Sequence, residues 1–499
     1  MKKKTSAYKT LEKVFKKLHD LDQVQSVLSW DSAVMMPDGG AHARAEQTAT
    51  LASLRHAILT DPGVADLLDQ AKSEQGKLSG WQKSNLALMR RLFTHADAVP
   101  RKLVRQFSKA GSECEMVWRQ ARADNDFKAL VKPLKKVVEL AREVAKAKGD
   151  ALGCSPYDAL LDLYDPGRKS EQLDEVFADL KGFLPDFIGQ VVEKQKSDKV
   201  TTLKGPFCIE KQKMLSERLL DIVGFDRSKG RLDTSHHPFC GGYPSDIRIT
   251  TRYDENDFPS SMMAVIHEAG HAAYEAGLPE NWQGQPVGLA QGMSIHESQS
   301  LLFEMQACRS KEFISFITPV IKEVLGVKGK GWTAANIYSL VTRVQPSLIR
   351  VDADEVTYPG HVMLRYYIEK YLIADDMSVD DLPEAWAQGM EKFVGIKPTD
   401  DANGCMQDIH WMDGTFGYFP TYTLGGMYAA QLFQAAKESD KSIASGISKG
   451  DFAPLRLWLN KQVHDKGSRY SADELIKSAT GKPLDAETYK AHLKSRYLD

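Results

Sequence analysis

Apolar residues recur every three or four positions along most of the chain, which is the spacing of one face of an α-helix. The first segment shows this pattern at Leu11, Val14, Phe15, Leu18, Leu21, Val24 and Leu28. Similar spacing is found at residues 173–187, 214–222, 301–317, 362–373 and 427–436, and Gly and Pro lie mostly between these segments. The pattern predicts a mainly α fold.

One segment has a different period. Polar and apolar side chains alternate over residues 246–253, and several of them are β-branched. This pattern predicts a half-buried strand. No repeat of fixed period, low-complexity tract or Gly/Ser/Pro-rich linker divides the chain. We therefore expect a single unit over residues 1–499, with a helical N-terminal part at about 1–200.

The composition is that of an ordinary globular protein. The 499 residues are 42% hydrophobic and 26% charged, with a net charge of -2, so we expect neither nucleic acid nor an anionic membrane as partner. No apolar run reaches the roughly 18 residues of a membrane span, and charged residues interrupt the segment after the basic start. The six cysteines form no Cys-x-x-Cys pair, which favours free thiols and a cytoplasmic location over three disulfides.

The strongest chemical signal is the run His267-Glu268-Ala269-Gly270-His271. Residues four apart lie on one face of a helix, so the two imidazoles can bind a single metal ion. Glu268 projects about 100° away from them and could accept a proton from water activated by zinc. The small residues between and after the histidines would allow close helix packing. The run predicts a zinc peptidase helix.

A catalytic zinc needs a third protein ligand and one open position. Glu275 and Glu280 lie close to the first helix, whereas Glu297 follows after a gap long enough for a connection and a second helix. We expect Glu297 to be the third ligand. Glu304, two turns farther along, is the alternative, and without the histidine pair either glutamate would be interpreted as an exposed helix face.

Six separated motifs occur in a fixed order along the chain. They are His-Pro-Phe at 237–239, Asp-Ile-Arg-Ile-Thr at 246–250, the His-Glu-Ala-Gly-His run, His-Glu-Ser at 296–298, Ile-Arg-Val-Asp-Ala-Asp-Glu at 349–355 and Gly-Cys-Met-Gln-Asp-Ile-His-Trp at 404–411. Together they resemble the carboxypeptidase Taq family of thermostable metallocarboxypeptidases, and the likeness covers nearly the whole chain. The sequence departs from the family pattern at Tyr367, where an acidic residue is expected, and at Cys240-Gly241-Gly242.

The resemblance implies a large helical zincin with a deep active-site cleft and a small β-sheet beside the metal-binding helix. It implies a metal and substrate site within about 230–430, zinc as the cofactor with Co2+ or Mn2+ as possible substitutes, and a homodimer. The activity implied is hydrolysis of C-terminal amino acids from peptides with broad specificity.

A carboxypeptidase also needs a cation that holds the terminal carboxylate, a bidentate task that suits arginine. The resemblance favours Arg350, and Arg248 on the predicted strand is second. Asp352, Asp354 and Glu355 are close in sequence and could instead form ordinary ion pairs with Arg350.

Hydrogen-bond donors should stabilise the oxyanion that forms during peptide hydrolysis. By resemblance, His410 and Tyr422 would supply them from a loop over residues 410–422, with Tyr418 as the rival of Tyr422. His237 would orient the substrate or a neighbouring loop, or be a buried core histidine.

Two other classes of protein would use the same scaffold differently. An endopeptidase or a dipeptide-releasing enzyme would keep the zinc but place the carboxylate anchor farther away or lack it. A non-catalytic peptide-binding protein would have lost a ligand or the general base, and Glu268 is present here.

Overall fold

A computed structural model describes residues 6–499, of which most are helical. The helices are α1 (Ala7–Val34), α2 (Ala41–Leu59), α3 (Pro62–Ser73), α4 (Gly80–Asp97), α5 (Arg101–Ala123), α6 (Phe127–Leu152), α7 (Pro156–Tyr164), α8 (Ser170–Gln195), α9 (Ile209–Val223), α10 (Phe258–Ala276), α11 (Met293–Leu301), α12 (Lys311–Leu325), α13 (Ala334–Val341), α14 (Tyr358–Ala374), α15 (Leu382–Val394), α16 (Pro420–Ser439), α17 (Lys441–Ile447), α18 (Ala453–Gln462), α19 (Ala472–Thr480) and α20 (Ala486–Tyr497). None of these helices has both the length and the apolarity of a membrane span.

The prediction of a mainly α fold is confirmed, because 69% of the chain is helical. The first predicted helical segment lies within α1, and four of the five later ones lie within α8, α9, α14 and α16. The segment 301–317 is different: α11 ends at Leu301, a π-helix covers Leu302–Cys308, and α12 begins at Lys311. The six cysteines are free, as expected.

The strands β1 (Gly230–Thr234), β2 (Cys240–Tyr243) and β3 (Asp246–Thr251) form one sheet in the order β1-β3-β2. β1 runs parallel to β3 and β2 runs antiparallel to it. The predicted strand extended to residue 253, but pairing ends where Thr251 faces Thr234, the last residue of β1. The strand is therefore two residues shorter than predicted, because the alternation of polar and apolar residues continues past the point where β1 ends.

The chain folds into two compact units, each assembled from three separate stretches. The first unit comprises the residues through Ala96, 199–341 and 428–484, and the second comprises 97–198, 342–427 and 485–499. The sheet and the His267–His271 motif belong to the first unit, whereas Arg350, His410 and Tyr422 belong to the second. The single catalytic unit expected from the sequence stays a prediction.

In the first unit, α10 is the element that carries the metal motif. Asp257 caps its N-terminus by accepting a hydrogen bond from the Ser260 backbone N–H, and a proline occupies the first turn. α10 packs against β2, β3, α9 and α11. A Cβ atom at Gly270 would lie 2.6 Å from the Gln299 carbonyl oxygen, so only glycine allows α11 to approach this closely. The expected close packing around the motif is confirmed at Gly270.

In the second unit, α14 is buried on nearly every side. It packs against α6, α7, α8 and α15 and carries two fully buried charged residues, Arg365 and Glu369. Buried charges need partners. Most of those partners come from the turns that precede α16, so α14 positions the segment that contains His410.

Candidate active site

Three side chains of the first unit converge on one point. His267 and His271 lie one turn apart on α10, and Glu297 reaches them from α11. The Nε2 atoms of His267 and His271 are 3.8 Å and 3.4 Å from Glu297 Oε2. Ligands of a tetrahedral zinc, at about 2.0–2.1 Å from the ion, are roughly 3.3 Å apart. The three donors therefore fit one ion.

The ionisation of Glu297 depends on the two histidines beside it. Burial alone would raise the pKa of Glu297, but His267 and His271 lower it to about 2. A carboxylate that stays ionised beside two imidazoles is the donor set that zinc prefers. The chemistry of the donors thus agrees with their geometry.

Glu304, the alternative third ligand, lies on the other side of the His267 ring. Its Oε2 is 2.9 Å from His267 Nδ1, and its Oε1 accepts a 2.7 Å hydrogen bond from Arg309. Arg309 also donates to the Val341 carbonyl. Burial opposes ionisation, yet Arg309 and His267 lower the pKa of Glu304 below its ordinary value. Both of its oxygens are engaged away from Glu297.

The second ring nitrogen of His271 contacts another histidine rather than a carboxylate. Its Nδ1 lies 2.6 Å from Nδ1 of His296, and His296 Nε2 lies 2.9 Å from Glu275 Oε1. From the sequence, His296 was expected only as part of a motif, and Glu275 only as a ligand candidate close to the first helix. The available signals were the helical spacing of Glu275 from His271 and the position of His296 directly before Glu297.

Glu268 is buried on α10, with 5% of its surface exposed. Its Oε2 atom has no hydrogen-bond partner among residues 6–499. Burial raises the pKa of this carboxyl to about 7. A buried oxygen without a protein partner normally accepts a hydrogen bond from water or a ligand. A pKa near neutrality suits a group that exchanges protons.

In the second unit, Arg350 is buried in an ion pair, though not with the acidic residues next to it. Its Nε and Nη2 donate to Asp408 Oδ1 at 3.2 Å and 2.9 Å, and its Nη1 donates to the Tyr358 hydroxyl at 2.7 Å. Asp354 instead accepts backbone N–H groups, and Glu355 binds α20 through His492, Arg496 and Tyr497.

Asp408 joins Arg350 to a second arginine. Arg365, fully buried on α14, donates from Nε to Asp408 Oδ2 at 2.7 Å and from Nη2 to Gln407 Oε1 at 2.8 Å. The same Gln407 oxygen accepts the Arg350 backbone N–H. Burial would raise the pKa of Asp408, but the two guanidinium groups hold it well below its usual range.

His410 lies among aromatic rings, 4.5 Å from Phe419 and 5.9 Å from Tyr418 between ring centroids. Burial lowers the pKa of His410 to about 4, and its Nδ1 has no partner in the described part of the chain. The centre of the Tyr422 ring lies 5.1 Å from the Arg350 guanidinium carbon. The prediction of a loop over residues 410–422 is wrong at its end, because α16 begins at Pro420 and Tyr422 is in its first turn.

The turns before α16 are held by Glu369. This carboxylate accepts hydrogen bonds from Trp411 Nε1, the Gly417 N–H and the Tyr157 hydroxyl, at 2.8 to 2.9 Å. Burial raises the pKa of Glu369 to about 7, although these donors oppose the shift. Tyr367, where the family pattern suggests an acid, stacks on Phe393.

The two remaining predicted substrate residues lie in the first unit. Arg248 on β3 forms two 2.9 Å hydrogen bonds with Asp246 and lies 4.3 Å from the centre of the Trp30 ring. His237 is exposed and packs edge-on against His236. The interpretation of His237 as a buried core histidine is therefore wrong, because it follows β1 in an irregular segment on the surface.

Comparisons with known proteins agree with these motifs. Residues 10–497 match the family model described as Carboxypeptidase Taq (M32) metallopeptidase. The chain is 36% identical to Thermostable carboxypeptidase 1 of Thermus thermophilus, covering 99% of this chain and 98% of that protein. It is 35% identical to Carboxypeptidase 1 of Bacillus subtilis, covering 98% of each.

Solved structures give the same result. Trypanosoma cruzi metallocarboxypeptidase 1 superposes with a TM-score of 0.97 at 39% identity, covering 99% of both chains. The M32 carboxypeptidase from Deinococcus radiodurans superposes with a TM-score of 0.93 at 34% identity, covering 98% of both chains. The present chain therefore belongs to the carboxypeptidase Taq (M32) family and is a metallocarboxypeptidase.

Proposed function

We propose that this enzyme removes single C-terminal amino acids from peptides, with broad specificity, using zinc held by His267, His271 and Glu297. The observation that carries the proposal is the convergence of one ring nitrogen from each histidine and one carboxylate oxygen of Glu297 within 4.8 Å of one another. Two histidines and a glutamate form a known catalytic zinc set. Co2+ or Mn2+ could take the same place, since selectivity among these ions also depends on their availability.

Glu268 is proposed as the general base. When bound, zinc would supply Lewis acidity and make a water molecule easier to deprotonate. The unpaired, buried Oε2 of Glu268 would accept the proton of the attacking water and later return it to the leaving amine. Its pKa of about 7 supports both transfers near neutral pH.

Arg350 is proposed to hold the terminal carboxylate of the peptide. A guanidinium has five N–H groups, and those on Arg350 donate to Asp408 and Tyr358 through Nε, Nη2 and Nη1. Two N–H groups, one on each terminal nitrogen, then have no partner among residues 6–499. Two parallel N–H groups are the arrangement that binds a carboxylate in bidentate fashion.

His410 and Tyr422 are proposed as donors to the oxyanion, with Tyr418 as the alternative to Tyr422. The low pKa of His410 keeps its ring neutral at physiological pH, so one nitrogen carries a proton that can be donated. Arg248 and His237 are proposed as secondary substrate contacts. The ion pair of Arg248 with Asp246 makes it a weaker candidate than Arg350 for the terminal carboxylate.

The first test combines metal analysis with product analysis. The purified enzyme should contain about one zinc per chain and release single residues from the C-terminus of one defined peptide. Release of internal fragments or dipeptides would contradict the proposal. A homodimer in the cytoplasm, acting on peptides without nucleic acid or membrane, is proposed from the resemblance and the free cysteines, and light scattering would determine the number of chains.

The second test asks whether Arg350 and the carboxylate interact. Amidation of the substrate should remove a buried charge-assisted pair and so lower kcat/KM. The fall should correspond to a loss of transition-state stabilisation on the order of 2 to 5 kcal/mol. Arg350→Ala should impair the free acid strongly and the amide little, since the interaction is already absent. Additive losses would refute the pairing. In that case Arg248→Ala, put through the same cycle, tests the second candidate, and if neither arginine couples to the carboxylate the endopeptidase alternative is favoured.

A further inference from the structure

The support of His271 consists of two successive hydrogen bonds. His271 Nδ1 lies 2.6 Å from His296 Nδ1, and His296 Nε2 lies 2.9 Å from Glu275 Oε1. The side chains of His271, His296 and Glu275 are 11%, 17% and 19% exposed. The contacts are therefore largely shielded from water. At these distances each pair of atoms has room for a single hydrogen between them, so one atom donates and the other accepts.

Binding of a metal ion by His271 would determine where those protons lie. If His271 Nε2 gives its lone pair to the ion, its Nδ1 must carry the hydrogen. His296 Nδ1 must then be the acceptor, so that neutral His296 carries its own hydrogen on Nε2. Glu275 Oε1 accepts the hydrogen bond from that Nε2–H. Every donor then faces an acceptor, and no other arrangement of the neutral rings leaves the His271 Nε2 lone pair free for the ion.

We propose that His296 and Glu275 are positioning residues for metal binding, which hold His271 in the tautomer and orientation that the ion requires. This inference rests on the proposed metal site. The other histidine ligand is held directly by a carboxylate, Glu304, at 2.9 Å. His271 is instead held by a neutral imidazole with the carboxylate one ring farther away.

The local fold explains the arrangement. Glu275 follows His271 by one helical turn on α10, so both side chains lie on the same face. His296 directly precedes Glu297 on α11 and packs 5.5 Å from the Tyr274 ring. Two adjacent residues of α11 thus act on the same ion, Glu297 as a ligand and His296 through His271.

The test measures metal affinity, without reference to turnover. His296→Leu leaves the His271 Nδ1–H without an acceptor, and we expect the zinc dissociation constant to rise about 10- to 100-fold in competition with a chelator. His296→Asn places an amide oxygen near the former Nδ1 and should restore part of the affinity. Unchanged affinity in His296→Leu, or no difference between the Leu and Asn variants, would overturn the inference.

A second variant tests whether Glu275 acts through His296. Glu275→Ala should raise the dissociation constant several-fold in the wild-type background and have no further effect in His296→Leu. An equal loss in both backgrounds would show that Glu275 acts independently. That result would overturn the proposed relay.

A matched control separates positioning from folding. His464 also packs on the Tyr274 ring, at 5.1 Å, but binds Gln299 rather than a ligand. His464→Leu should lower the thermal stability of the metal-free protein and leave zinc affinity within about threefold of wild type. Glu297→Ala separates the two proposals: if it too leaves affinity unchanged, the metal site itself is wrong, whereas a loss only in Glu297→Ala refutes the relay alone.

Discussion

Replacement of Asp408 by Asn is the sharpest test of the buried charges in the second unit. The Asp408 carboxylate accepts hydrogen bonds from Nε and Nη2 of Arg350 on one oxygen and from Arg365 on the other. Asn has nearly the same shape but no charge and only one oxygen. The variant therefore leaves two guanidinium groups, both at least 95% buried, without their shared anion.

The expected loss follows from this uncompensated charge. Breaking a buried ion pair by removing one partner costs about 3 to 5 kcal/mol, more than most single substitutions. We expect Asp408→Asn to lower the free energy of unfolding by an amount in this range. The activity on free-acid peptides should fall as well, because Arg350 loses the contact that fixes its guanidinium.

Urea unfolding followed by circular dichroism measures the effect, provided that the m-value stays the same. Asp150→Asn is the control, because Asp150 forms an exposed pair with Lys146 in which both side chains are about 70% exposed. Such pairs contribute little, and we expect a change within about 0.5 kcal/mol. A loss in Asp408→Asn as small as that of the control would refute the reasoning.

The same variant has a pH signature. The folded pKa of Asp408 lies well below the value of about 3.9 in an unfolded chain. Its stabilisation is thus fully present above about pH 4 and is lost as the pH falls toward the folded pKa. The difference in unfolding free energy between wild type and Asp408→Asn should shrink as the pH is lowered below about 4. A constant difference would show that the charge is not the cause.

Three further predictions concern single carboxylates. Glu268→Gln should retain zinc but lose about 10²- to 10⁴-fold in kcat, and simultaneous loss of the metal would show that Glu268 is a ligand. Glu297→Ala should weaken zinc binding far more than Glu304→Ala in equilibrium dialysis against a chelator, and the reverse order would reassign the third ligand. Because the pKa of Glu369 is raised to about 7, its contribution to stability should fall as the pH rises from about 4 to 7. This slope should be absent in Glu369→Gln, and an unchanged slope in unfolding experiments would contradict the assignment.

The sequence was sufficient for features that depend on local periodicity. The helix containing His267 and His271 and the strand beginning at Asp246 follow from side-chain spacing within one element. The helix start at Pro420 could also have been found, because proline is favoured in the first helical turn. Instead, Pro420 was interpreted together with Gly414 and Gly417 as part of a loop that continued through Tyr422.

Other features depend on contacts between distant segments. The partner of Arg350 is Asp408, although three acidic residues lie within five positions of it. The hydrogen bond between His271 and His296 joins two helices whose approach is set by Gly270. Spacing along one element carries no information about such pairs, since the packing of several elements determines which side chains meet.

The π-helix at Leu302–Cys308 accommodates one residue more than an α-helix would between Glu304 and Arg309. Its wide turns place residues five apart above one another, and the Arg309 N–H accordingly bonds to the Glu304 carbonyl. The ion pair of the same two side chains also has this spacing, whereas an α-helix brings together residues three or four apart. Deletion of Met305 alone would place the two residues four apart, the spacing that an α-helix brings onto one face. The segment should thus be able to lose this one residue by tightening to an α-helix while the arginine stays beside the carboxylate that holds His267, whereas deletion of two residues would separate them.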